Sequence, residues 1–186
     1  SGGDEMTRTS CGTCPSGFSC SGTSEKIECS AGYFAAANSS ACSPCGDDSY
    51  YSAAGAGSCT KCSAGWITSG GNSTTRTSCS ECRSGHACAG TSVEIECAAG
   101  TYADAGASSC SPCLAGTASA AAAANCTDCG ADDRYSSNEA AKCDRCRPGS
   151  FTSGGDEMTR TSCGTCPSGF SCSGTFEKVE CSAGYF

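Results

Sequence analysis

Cysteines spaced two residues apart are the groups in this 186-residue chain best placed to do chemistry. CxxC occurs at Cys11/Cys14, Cys42/Cys45, Cys59/Cys62, Cys79/Cys82, Cys110/Cys113, Cys126/Cys129, Cys143/Cys146 and Cys163/Cys166. Three chemistries use that spacing: dithiol exchange, tetrahedral zinc and structural disulfides. Thioredoxin-type exchange places a single CxxC at the start of a helix in an α/β domain, and no helical apolar period follows any of these motifs. Zinc modules match CxxC pairs two by two, which would leave the single Cys20 and Cys29 over. The expected chemistry is cross-linking, with no catalytic residue, no cofactor and no metal.

Other candidates are weaker. "GGDEM" at 2–6 and 154–158 is near the signature of cyclic-dinucleotide synthases, but its counterpart at 70–74 reads "GGNST", and the likeness is read as accidental. His86 is the only His and is expected to lie exposed in a small loop. No base neighbours a Ser in a way that would activate a nucleophile. Asp47-Asp48 and Asp132-Asp133, taken as recurring at an offset of 85, carry oxygens suited to Ca²⁺, and a solvated turn is the expected reading. No enzymatic activity is expected.

The scaffold that holds these cysteines cannot rest on a conventional core. Leu, Ile, Val and Phe together number 12, far below what a globular domain needs. Twenty-two Cys replace burial with covalent staples and imply an oxidising, extracellular compartment. Three sequons agree with that location, at Asn38, Asn72 and Asn125, the last with Cys126 in its middle position. A formal charge of -8 argues against nucleic acid as a partner. No apolar run approaches the length that spans a bilayer, so no membrane contact is expected within the segment. The absence of an initiator Met and of a signal-peptide pattern is read as a window cut from a longer chain.

Repetition organises the chain. Residues 1–34 and 153–186 agree at 32 of 34 positions, the differences being Ser24 against Phe176 and Ile27 against Val179. Residues 69–102 match 1–34 at an offset of 68, sharing every Cys and "TRTSC". The expected organisation is a short repeat over 1–68, a longer repeat over 69–152 with one extra CxxC unit, and the start of a further copy over 153–186. Most loops place a Gly and then an aromatic soon after a Cys, as in Gly32-Tyr33 and Gly65-Trp66. Gly permits a tight turn, the aromatic is expected to cover a neighbouring disulfide, and each loop is expected to form a short two-stranded ribbon.

"CSPCGDDSYYSAAGAGSCTKCSAGWITSGGNSTTRTSCSEC" resembles the ephrin-receptor-like cysteine-rich repeats, relatives in style of tumour-necrosis-factor-receptor and growth-factor-receptor modules. The resemblance implies a small disulfide-rich fold, mostly coil with two-stranded β-ribbons, extended as a rod of tandem modules without a conventional hydrophobic core. It also implies that the first Cys of each CxxC bonds backwards and the second forwards. On that rule the pairs are Cys29-Cys42, Cys45-Cys59, Cys62-Cys79, Cys97-Cys110, Cys113-Cys126, Cys129-Cys143 and Cys146-Cys163. Cys14-Cys20, Cys82-Cys88 and Cys166-Cys172 then close small loops, and Cys11 and Cys181 are expected to bond outside the segment. A nested Cys14-Cys29 link stays open at this stage.

Near-identical tandem copies suit a fibre, which needs identical units, more than a receptor, which needs a distinct site. The expectation is a secreted structural glycoprotein that self-assembles into a filament or coat, such as a protist or algal cell-surface fibre. The alternative is the stalk or binding ectodomain of a receptor, adhesin or CxxC-rich surface antigen.

Overall fold

The computed structural model describes residues 12–22 and 25–184. Among them there is no helix; ten two-stranded antiparallel ribbons are joined by turns and coil. The chain divides into two compact units, Ser1–Cys82 with Cys88–Glu94, and Arg83–Ala87 with Ile95–Phe186. That division cuts through the 69–152 sequence repeat, because it follows contacts between loops and the sequence period follows only recurrence.

One ribbon design is used repeatedly. A turn after the Cys leads into the outgoing strand, and the two residues inside the next CxxC form the returning strand. Tyr33–Phe34 pairs with Ser43–Pro44, Tyr50–Tyr51 with Thr60–Lys61, and Thr117–Ala118 with Thr127–Asp128. The backbone N–H of the second Cys closes each ladder: Cys45 donates to the Gly32 carbonyl at 3.1 Å and Cys113 to that of Gly100 at 2.9 Å. Side chains three apart in an extended strand project to opposite faces, so the two Cys of a CxxC cannot serve the same neighbouring loop.

The bonds follow that geometry. The structure joins Cys29 to Cys42, Cys45 to Cys59, Cys62 to Cys79, Cys97 to Cys110, Cys113 to Cys126, Cys129 to Cys143 and Cys146 to Cys163. Cys14–Cys20, Cys82–Cys88 and Cys166–Cys172 close the small loops, so Cys14 does not reach Cys29. Among the described residues Cys181 has no disulfide partner, and Cys11 lies outside them.

The turns explain the glycines. In Ser30–Tyr33 the Tyr33 N–H donates to the Ser30 carbonyl at 3.0 Å with Gly32 third, at φ 86°. That is a turn position reserved for left-handed backbone. Gly32 also lies against a later loop: a Cβ there would sit 2.4 Å from the Thr75 carbonyl oxygen. Two loops lack this Gly. In Asp47–Tyr50 and Ala131–Arg134 the turn bond is kept, at 3.1 and 2.9 Å, but the third residues are Ser49 and Asp133.

What is buried is small. Three residues after each such turn position stand Ala35, Ser52, Thr68, Ala103, Ser119, Ser136 and Thr152, each exposed by 5% or less. Their N–H groups bridge to the loop that stacks next: Ser52 to the Arg76 carbonyl, Thr68 to that of Thr91 and Ser119 to that of Ala140, at 3.1–3.2 Å. In the small loops Cys88 and Cys172 fill the same slot. The aromatics stay nearer water, with Tyr33 exposed by 37% and Trp66 by 43%.

Candidate functional site

The most organised polar cluster is built on the loops whose turn lacks Gly. Asp48 sits second in its turn, which points its carboxylate at later loops. One oxygen, Oδ1, accepts from the Arg76 guanidinium. The other, Oδ2, accepts from the Ser92 N–H at 2.8 Å and the Ser92 hydroxyl at 2.9 Å. The Asp48 carbonyl accepts from the buried Thr68 hydroxyl at 2.7 Å. One residue therefore fastens its own loop to two later ones, those holding Thr68 with Arg76 and Ser92.

The second compact unit holds the same clamp. Arg160 Nε meets Asp132 Oδ1 at 2.6 Å, the Phe176 N–H donates to Asp132 Oδ2 at 2.9 Å, and Thr152 donates to the Asp132 carbonyl at 2.6 Å. Phe176 has no hydroxyl to offer, and its ring instead lies over the Arg160 guanidinium, 4.4 Å from its centroid. Stacking of this kind contributes about 0.5–1 kcal/mol at an exposed site. The equivalence is Asp48 with Asp132, an offset of 84, so the offset of 85 is corrected: a doubled Asp matches in two registers, and only the Arg partner chooses between them. Neither Asp48 nor Asp132 is a solvated turn residue. Asp47, by contrast, is exposed and bonds only within its turn, to the N–H and hydroxyl of Ser49 at 2.8 and 2.7 Å.

Partial burial works to raise the Asp48 and Asp132 carboxyls. Hydrogen bonds from the Ser92 and Phe176 N–H groups and from the two guanidiniums outweigh it and hold both below the usual carboxylate value. With both oxygens of Asp48 and Oδ1 and Oδ2 of Asp132 engaged, the clamps are structural fastenings.

His86 is buried at 7% exposure, which corrects its expected place in solvent. It occupies the strand position that Phe170 holds in a sister loop, and its ring nitrogens meet the Ser84 carbonyl at 3.3 Å and the Arg83 guanidinium at 3.0 Å. The carboxylate of Glu94 lies within 4.8 Å of the Cys82 and Cys88 sulfurs. Those sulfurs are bonded to each other and so offer no thiolate.

The three sequon asparagines are exposed and differ in setting. Asn38 takes φ 65° and donates its N–H to the Cys14 carbonyl at 2.9 Å, a left-handed corner that Gly55, Ala122 and Glu139 fill elsewhere. Asn72 accepts at Oδ1 from the Thr74 N–H at 2.9 Å and from its hydroxyl at 2.8 Å. The turn uses only the oxygen, so the amide nitrogen is not needed for it. Asp156 builds the equivalent turn, accepting from the Met158 N–H at 2.9 Å and from the Thr159 hydroxyl at 2.9 Å, in a copy that has no sequon. Asn125 stands beside the Cys113–Cys126 bond, on the wall of an open concavity.

One family model matches part of the chain. Residues 32–79 match the family model described as tyrosine-protein kinase ephrin type A/B receptor-like. Over that segment the chain is similar to the ephrin-receptor-like cysteine-rich repeats. The matched stretch holds two complete disulfide loops and both Asp48 and Arg76. Repeats of this family are typically non-enzymatic ectodomain modules, and such disulfide density is typical of extracellular domains. No curated protein matches the chain significantly.

Proposed function

We propose that the chain is a structural segment of a secreted glycoprotein that self-assembles into an extracellular filament or coat. The observation that carries this reading is the agreement of 32 in 34 positions across a 152-residue period. The repetition reaches beyond the cysteines to the Asp–Arg clamp, so successive loops are fastened by the same contacts wherever they recur. Stability built from neighbouring units lets length grow by duplication. Glycans at Asn38, Asn72 and Asn125 would keep such a surface soluble.

Electron microscopy of the secreted protein carrying several copies of the period, kept non-reducing, tests it. Filaments or ordered sheets are the expected result, and monodisperse monomers at every concentration would overturn it. The family match favours a second reading, a receptor or adhesin stalk. That reading expects a monomer whose flanking sequence contains a divergent domain.

A further inference from the structure

The extra unit of the longer repeat has an unusual loop. Between Cys113 and Cys126 it reads "LAGTASAAAAAN", with seven Ala where the sister loop "SAGYFAAANSSA" has five. Its alanines form one wall of an open concavity of about 550 Å³, with the 129–143 loop opposite. Ala120, Ala123 and Ala124 line it together with Asp128, Arg134 and Asn125. Neither Asn38 nor Asn72 lines it.

We propose that this concavity seats the first sugars of a glycan carried by Asn125. The proposal rests on the secreted-glycoprotein reading and adds a binding role for the protein surface. A pyranose ring has one face of C–H groups and a rim of hydroxyls. Alanine methyls offer such a face apolar contact within a lining that is otherwise polar, and covering apolar surface is favourable by about 25 cal/mol per Å². The Asp128 carboxylate accepts from hydroxyls and the Arg134 guanidinium donates to them. Attachment at Asn125 makes the contact intramolecular, so weak individual interactions suffice.

The attachment is ordinary amide glycosylation with a lipid-diphosphate-linked oligosaccharide as donor. The Asn125 amide nitrogen forms a bond to the anomeric carbon while the bond from that carbon to the diphosphate oxygen breaks. The diphosphate leaves with the electron pair, and the nitrogen loses one proton.

The test is glycopeptide mass spectrometry on the chain secreted from eukaryotic cells, followed by amide hydrogen exchange before and after enzymatic glycan removal. Asn125 is expected to be occupied, and glycan removal is expected to speed exchange at Ala123 and Ala124 by about five-fold or more, leaving 45–59 unchanged. Thr127→Ala, which removes the acceptor site and keeps the alanines, is expected to exchange like the deglycosylated protein. Ala123→Glu is expected to keep the glycan and lose the protection. Asn125 bare while Asn38 and Asn72 are occupied, or exchange unaffected by glycan removal, overturns this proposal alone. All three asparagines bare overturns the glycoprotein reading and this proposal with it.

Discussion

The Asp48 carboxylate and the Arg76 guanidinium, 28 residues apart in the chain, form an ion pair that recurs with the same separation between Asp132 and Arg160. In both, the other carboxylate oxygen takes an N–H 44 residues away. A contact pattern duplicated along with the cysteines is part of the fold's own repeat.

Replacing Asp48 with Ala is expected to free the Ser92 amide and leave the mostly buried Arg76 without its counter-charge. The cost is about 1–3 kcal/mol, as for a partly buried polar group that loses its partner. Hydrogen exchange at the Ser92 amide reads it directly, and unchanged protection would show that Asp48 is not the fastening.

Acid acts on the same pairs. Both carboxyls titrate below their unfolded value, so the stability they add is complete above about pH 4 and fades as pH falls through the lower folded values. Thermal melts from pH 7 down to pH 2 are expected to show that loss. The Asp48→Asn, Asp132→Asn double variant is expected to show a smaller one.

Gly32→Ala and Gly149→Ala separate two demands on glycine. Both residues have φ 86° and so both substitutions carry backbone strain of about 1–2 kcal/mol. Only at Gly32 does the new methyl meet a neighbouring carbonyl, whereas nothing lies within 4 Å of a Cβ at Gly149. Gly32→Ala is expected to lower the melting temperature further. Equal losses would mean that the close approach to Thr75 does not matter.

Asn72→Asp and Asn72→Gln separate sugar from turn. Both abolish the acceptor site, but Asp keeps an oxygen where the Thr74 N–H donates, as Asp156 does for the Met158 N–H. Mass spectrometry is expected to show the same loss of glycan in both, and hydrogen exchange at the Thr74 amide is expected to rise only in the Gln variant.

Removing Cys45 and Cys59 together by Ser substitution is expected to cost about 3 kcal/mol in the chain-entropy account. The 45–59 loop makes its contacts with neighbouring loops, so the increase in exchange is expected there and in the loops beside it. A loss of protection throughout both compact units would show that stability is not local.

The ribbons and turns were legible because they are local. A Gly soon after a Cys, a loop of about a dozen residues and a CxxC that returns as a strand are all set within one closed loop, and spacing alone carries that information. The aromatics drew attention in the same way, yet the buried positions belong to Ser52, Thr68, Ser119 and their equivalents, small residues with no signal of their own in a chain rich in Ser, Thr and Ala.

Stacking of one loop on the next decided the rest. It buried His86, set Gly32 against Thr75, and chose Asp48 over Asp47 as the residue that Arg76 holds. These contacts join residues from 28 to 44 apart that no hydrophobic period or motif links. The sequence by itself determined the ribbon and turn of each rung, because a short closed loop leaves the backbone few choices; the pairing came with the family resemblance, and the structure decided Cys14–Cys20 over Cys14–Cys29. The tertiary structure alone decided what fastens rung to rung, because a hydrogen bond between loops depends on where their backbones come to lie.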